Sequence, residues 1–283
     1  MPSNTMRLAT IFFAFLGAAL AVVGLASGAW AAEPQPWQLG MQQPASVGKE
    51  SLHSLHNLLL WIITITTIFV LALLVYVCVK FRADKNPNPS KTSHNTMIEV
   101  LWTVIPVVIL VVIAVPSFRL LYFLDRTPNA DMTIKVTGHQ WYWNYGYPDH
   151  GDFAFDSYMI PENELQPGQK RLLDVDNPLV VPAGKNIRVL VVGSDVLHSW
   201  LVPALGVQLY TVPGRTNETW FNIEEPGVYY GQCNQICGVN HAYMPVAIRA
   251  VPEAEFNAWV EKAREEFASK DGGGDVKVAN AAR

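Results

Sequence analysis

Four side chains able to bind a soft metal fall within the twelve residues Cys233-Asn234-Gln235-Ile236-Cys237-Gly238-Val239-Asn240-His241-Ala242-Tyr243-Met244. They are two thiols, an imidazole and a thioether. Cysteine and methionine favour copper, and histidine suits it too. A second imidazole, His198, stands 35 residues before Cys233, just past an apolar run at 187–192. A mononuclear blue-copper site uses one cysteine, two histidines and a weak axial methionine. Here there are two cysteines, four apart. Two thiolates can bridge two copper ions and hold them close, so that the pair shares one electron. A rigid shared site changes little in shape on reduction, which is what fast electron transfer needs. The competing reading is a structural disulfide, which an oxidising compartment permits. That reading leaves His241 and Met244 at ligand spacing unexplained. Cys78 lies inside an apolar run and reads as a packing residue, while His53, His56, His94, His139 and His150 lack any such donor cluster.

The elements around these donors read as β-strands. Met132–Val136, Leu179–Val181, Ile187–Val192, Trp220–Ile223, Val228–Gly231 and Val246–Val251 are short runs with apolar alternation or β-branched residues. Turn residues such as Pro182-Ala183-Gly184, Pro213-Gly214 and Pro226-Gly227 separate them. Many short strands at such spacing predict a β-sandwich or small barrel. The donor segment is then one loop between two strands. One histidine after a strand plus a Cys/His/Met loop is the cupredoxin arrangement, so residues 126–252 are expected to form an all-β, cupredoxin-like Greek-key domain. Residues 253–270, with Phe256, Trp259 and Ala263 at helical spacing, predict a closing helix. Residues 271–283, opening on Asp271-Gly-Gly-Gly-Asp, read as a disordered tail.

The first half of the chain is different. Only 16% of the 283 residues are charged and half are hydrophobic, against about 25% charged in an ordinary soluble domain. The deficit is local. Residues 1–31 read as a secretory signal: Arg7, an apolar stretch from Ile11 to Leu25, and the cleavage pattern Ala29-Trp30-Ala31. The alternative is a first membrane anchor. Residues 32–56 are then a periplasmic N-terminal segment. Residues 57–125 are predicted to be a transmembrane hairpin. Asn57–Val79 is an uncharged run long enough to span about 30 Å of hydrocarbon. A second run, Ile98 to Leu124, contains Pro106 and Pro116, which membrane helices tolerate. The loop between them carries Lys80, Arg82, Lys85 and Lys91 against Asp84, which makes it cytoplasmic by the positive-inside rule. Everything after Asp125 is therefore expected in the periplasm of a bacterial inner membrane protein. Net charge is −4, and no basic cluster points to nucleic acid.

The copper loop resembles the signature of cytochrome c oxidase subunit II, the CuA-containing subunit of a haem–copper oxidase. So do Asp195-Val-Leu-His198-Ser-Trp200, Gly138-His-Gln-Trp141-Tyr-Trp143, Phe155-Asp-Ser-Tyr-Met-Ile-Pro161, Val212-Pro-Gly-Arg215 and Glu99-Val-Leu-Trp102. The likeness covers roughly residues 50–260 without rearrangement. A two-helix hairpin followed by a cupredoxin domain is that family's architecture.

The resemblance implies a proton-pumping oxidase that takes electrons from cytochrome c and reduces O2 at haem in subunit I, with subunit III as a further partner. It implies two copper ions held by His198, His241, Cys233, Cys237, Met244 and the backbone carbonyl of Gln235. The family usually has Glu at this last position and uses its carboxylate for a Mg²⁺ or Mn²⁺ shared with subunit I. A neutral amide oxygen is a weaker ligand for a hard cation. Trp141 corresponds to the exposed tryptophan that admits the electron. From the residues alone it reads as a core aromatic, sharing a face with Trp143 if the stretch is a regular strand. Asp176 and Asp195 match acids that dock cytochrome c, while Gly146 stands where the family has another. Between residues 131 and 225 there are twelve acids and six bases, a balance that would steer a basic partner and weaken with salt. Glu99 matches the opening of a proton path. By itself it is a helix-start acid favoured by the dipole.

Other classes fit less well. A quinol oxidase subunit II shares the fold but lacks the copper ligands. A copper chaperone or thiol reductase would use a thioredoxin-like fold, against the all-β pattern. A nitrous oxide reductase domain would have no need of the hairpin or Glu99, and a plain membrane anchor would need no soft-ligand loop.

Overall fold

The computed structural model describes residues 34–267. The predicted signal at 1–31 and tail at 271–283 lie outside the described residues. Two long helices come first, α1 (Val47–Lys80) and α2 (Thr96–Asp125). Both are long and apolar enough to cross a membrane, each containing an 18-residue stretch with a mean hydropathy of 2.8. Their large side chains face outward: Leu110 is 64% exposed and Trp61 69%. Such surface is tolerable only where lipid or another protein covers it.

Helix α1 begins at Val47, well before the predicted Asn57, because its first turns pack on the β-domain. Ser46 is the N-cap: its Oγ accepts from the Lys49 N–H at 3.0 Å and donates to the Leu205 carbonyl at 2.7 Å. The Val47 N–H donates to Asn222 Oδ1 and the Ala45 N–H to the Ala204 carbonyl. Phe123 of α2 meets Trp220 edge-on at 5.4 Å. Helix α2 starts with a reciprocal cap: Asn95 Oδ1 accepts from the Ile98 N–H, and Glu99 Oε1 accepts from the Asn95 N–H, both at 3.3 Å. It runs on through Pro106 and Pro116.

Ten strands follow: β1 (Met132–His139), β2 (Tyr142–Tyr147), β3 (Phe153–Ser157), β4 (Leu179–Pro182), β5 (Asn186–Gly193), β6 (His198–Val202), β7 (Val207–Thr211), β8 (Asn217–Asn222), β9 (Gly227–Cys233) and β10 (Pro245–Val251). They form two five-stranded sheets, ordered β3-β2-β1-β5-β8 and β4-β10-β9-β6-β7. β1 pairs with β5 in parallel and β10 with β4 in parallel, while the other pairs are antiparallel. The two-residue period does what alternation predicts. Ile134 and Val136 of β1, and Ile187, Val189 and Val191 of β5, are fully buried between the sheets, as are Trp143, Trp200 and Ile248. Helix α3 (Glu253–Phe267) closes the sandwich with Phe256, Val260 and Ala263. Its Trp259 packs on Tyr147, Phe153 and Phe155.

Candidate metal centre

β9 and β10 are antiparallel neighbours, with Gln232 opposite Pro245. The donor loop therefore leaves the sandwich and returns at one end. Its base is closed by the Cys233 N–H bonding to the Met244 carbonyl at 3.3 Å. β6 lies on the other side of β9, with Trp200 opposite Cys233. His198 is the first residue of β6, and that register brings it to the loop.

The donors converge. Cys233 and Cys237 sulfurs are 3.9 Å apart, both free thiols and both buried. His198, Cys233 and Cys237 each present a ligand atom within 4.8 Å of the others. His241 Nδ1 and Met244 Sδ both lie 3.6 Å from the Cys237 sulfur, and the Gln235 carbonyl lies 3.3 Å from that of Cys233. Met244 is buried, and His241 is half-buried.

His198 is fully buried and held from several sides. Its Nε2 meets Asp195 Oδ1 at 2.8 Å. Its backbone N–H donates to Thr211 Oγ1 at 3.0 Å. Trp143 stands edge-on to the ring at 6.0 Å. Gly138 makes room for it, since a Cβ there would sit 2.9 Å from His198 Cδ2. With Nε2 engaged by the carboxylate, Nδ1 is left buried with no hydrogen-bond partner among the described residues. A buried polar atom is ordinarily satisfied. An unpartnered imidazole nitrogen facing two thiols fits a metal ligand, and the carboxylate behind it is what orients metal-binding histidines.

The titration of these groups is uneven. Burial raises the Cys233 thiol, but the neighbouring His198 imidazole and backbone hydrogen bonds at Ser199 and Gln235 outweigh it and bring the thiol down to about 7. Burial and the Cys233 charge push Cys237 up to about 12. Burial alone would depress His198, but Cys233 and Asp195 outweigh it and raise the imidazole. One thiolate is therefore readily available, and a second forms only against strong opposition. A bound cation would relieve that opposition.

The tryptophans differ from the expectation for a regular strand. Trp141 lies in the turn between β1 and β2, half-buried, while Trp143 lies within β2 and is fully buried. Each donates to the donor loop, Trp141 within it and Trp143 at its end. The Trp141 Nε1–H donates to the Cys237 carbonyl and the Trp143 Nε1–H to that of Met244, both at 3.2 Å. Gly238, at φ +124°, permits the first contact, because a Cβ there would meet Trp141 Cζ2 at 2.9 Å.

The two acids predicted to dock a partner both have internal work. Asp195 holds His198 and accepts from the Gln140 and Val196 N–H groups at 2.7 and 2.6 Å. Its carboxyl is depressed: burial opposes ionisation, but the His198 and backbone bonds prevail. Asp176 accepts from the Tyr158 and Asn177 N–H groups at 2.8 and 2.7 Å, yet its pKa is raised, because burial outweighs those bonds. Glu99 is at the far end of the hairpin, in the cap of α2. The residues that sequence reasoning passed over are Gln140, Gly138, Trp143 and Thr211. Gln140, Trp143 and Gly138 lie in a quoted motif, but nothing in their spacing shows what they touch.

Comparison with known proteins gives one family. The sequence matches the family described as cytochrome c oxidase subunit II, periplasmic domain, over residues 132–251. The corresponding transmembrane domain family matches over residues 34–120. A protein of Rickettsia bellii named "Probable cytochrome c oxidase subunit 2" is 53% identical over 249 residues, covering 87% of this chain and 93% of that protein. The Arabidopsis thaliana "Cytochrome c oxidase subunit 2" is 46% identical over 232 residues, covering 80% and 89%. Among solved structures, the periplasmic domain of subunit II of cytochrome oxidase (CoxB) of Bradyrhizobium japonicum is 54% identical. It covers 50% of this chain and 99% of that chain, with a TM-score of 0.48.

Proposed function

The chain belongs to the cytochrome c oxidase subunit II family, and we propose that within that haem–copper oxidase it takes electrons from cytochrome c at a two-copper centre. The observation that carries this reading is the convergence of His198, Cys233 and Cys237 within 4.8 Å, with the buried His198 Nδ1 lacking a hydrogen-bond partner among the described residues. The ligands would be His198, Cys233, Cys237, His241, Met244 and the Gln235 carbonyl. When bound, the two copper ions supply a one-electron redox site. The remaining work is done by the chain. Asp195 fixes the His198 ring, and the sandwich keeps the loop from rearranging, so little energy is spent on reorganisation.

Trp141 is the point of electron input. It is half-buried at the domain surface, and its indole N–H lies 3.2 Å from the Cys237 carbonyl. The net acidity of residues 131–225 steers a basic cytochrome to the domain, and Asp176 and Asp195 contribute to that field. Gln235 offers a neutral amide where the family usually has Glu, so we propose that a Mg²⁺ shared with subunit I is held weakly. Glu99 opens a proton path at the cytoplasmic end of α2. The hairpin lies in the bacterial inner membrane against subunit I, with subunit III in the same complex and the sandwich in the periplasm.

The test is rapid mixing of the assembled oxidase with reduced cytochrome c at rising ionic strength. Copper reduction is expected to be fast at low salt, to slow as salt rises, and to slow in Trp141→Phe. Reduction that ignores both salt and the Trp141 change would overturn the reading.

A further inference from the structure

The turn at Gln140 and Trp141 places two donors on the copper loop and a third on the Asp195 carboxylate. Gln140 Nε2 donates to the Cys237 carbonyl at 2.8 Å. The Trp141 indole N–H, from the next residue, donates to the same oxygen. A carbonyl oxygen has two lone pairs, and these two donors fill both. The Gln140 backbone N–H meets Asp195 Oδ2 at 2.7 Å, and the other oxygen of that carboxylate holds His198 Nε2. Gly238 completes the fit, because a Cβ there would stand 3.2 Å from Gln140 Nε2 and 2.9 Å from Trp141 Cζ2. The dipeptide is thus tied to the Cys237 side of the cluster directly and to the His198 side through one carboxylate.

We infer that Gln140 is a positioning residue for electron input: its side-chain amide fixes the Trp141 turn against the Cys237 carbonyl and tunes the centre beside it. This rests on the reading of Trp141 given above. Two consequences follow from the chemistry. Donors on the carbonyl of a ligand residue withdraw negative potential from the metal, so losing one favours the oxidised form. Losing the amide also frees the turn, so the indole spends less time against Cys237. Outer partners of metal sites typically change affinity or activity by about 10–100-fold.

The experiment uses the assembled oxidase with Gln140→Met, which keeps the shape without donors, and Gln140→Glu, which keeps the size but presents an acceptor. The expected result is a fall in kcat of about tenfold with the KM for cytochrome c within about twofold of the parent. The copper midpoint potential is expected to fall in both variants, further in Gln140→Glu. A raised KM with unchanged kcat and potential would make Gln140 a docking contact and overturn the inference. So would an unchanged enzyme, or loss of assembly in both variants, which would make Gln140 a folding residue. Trp141→Phe separates this from the underlying reading. If Trp141→Phe slows copper reduction and the Gln140 variants do not, only the inference fails. If Trp141→Phe has no effect, the electron-input reading itself fails.

Discussion

The periplasmic sandwich and the membrane hairpin are built on opposite principles. In the sandwich, Trp143, Trp200 and Ile134 are at 0% exposure, and the groups around the copper loop are held by named partners. In the hairpin, Leu110 and Phe69 are 64% and 60% exposed. The hairpin's polar contacts with the sandwich are made where α1 begins, at Ser46 and Val47. The sandwich is determined by what the chain does to itself, and the hairpin by what surrounds it. Chemistry that needs fixed distances belongs in the first region.

The largest break should come from the donor loop. Cys237→Ser removes a sulfur that contacts Cys233, His241 and Met244. It is expected to abolish the two-copper centre and cut turnover by at least about 100-fold, read by copper content and oxygen uptake. The metal-free protein sharpens the same point. Cys233, lowered by His198 and its backbone hydrogen bonds, becomes thiolate at a lower pH than an ordinary cysteine and gains reactivity as pH rises. Cys237, pushed up to about 12, stays protonated. Alkylation followed by mass spectrometry should therefore label Cys233 well before Cys237 at pH 8, and equal labelling would contradict the asymmetry. Trp143→Ala empties a fully buried site and removes one of the two donors to the Met244 carbonyl, leaving the Cys233 N–H. A cost of about 3–5 kcal/mol is expected in denaturant unfolding of the periplasmic domain.

At the junction, Ser46→Ala deletes both the cap of α1 and the bond to Leu205. It should cost about 1 kcal/mol, seen as a lower melting temperature. The smallest effect is expected on the outer face of the hairpin. Leu110→Ala should change sandwich stability by less than about 0.5 kcal/mol, and a larger change would mean that the two regions are coupled.

The candidate donors were legible because four of them are close in sequence and chemically unlike anything a core requires. His198 was legible only through its position after a run of β-branched residues, and it proved to begin β6. The strands β2, β3, β6 and β7 were missed. Tyr142–Tyr147 and Phe153–Ser157 are dense in aromatics that read as clusters, while His198–Val202 buries polar His198 and Ser199 beside Trp200 and Val207–Thr211 mixes polar and apolar residues, so neither shows an apolar run. The true start of α1 was hidden because Ser46 and Val47 are fixed by Leu205 and Asn222, far along the chain. Gln140 was invisible for the same reason, since its partner Cys237 lies 97 residues away. The turn that takes Trp141 out of β2 leaves no mark in the alternation of Trp141-Tyr142-Trp143.

Whether this loop holds two coppers as one redox unit is decided by a copper count with an electron paramagnetic resonance spectrum on the full chain in its oxidase. Two coppers bound by this chain, sharing one unpaired electron over two equivalent nuclei, are expected. One copper with a single-nucleus signal, or no stable copper with Cys233 and Cys237 joined as a disulfide, would contradict that expectation.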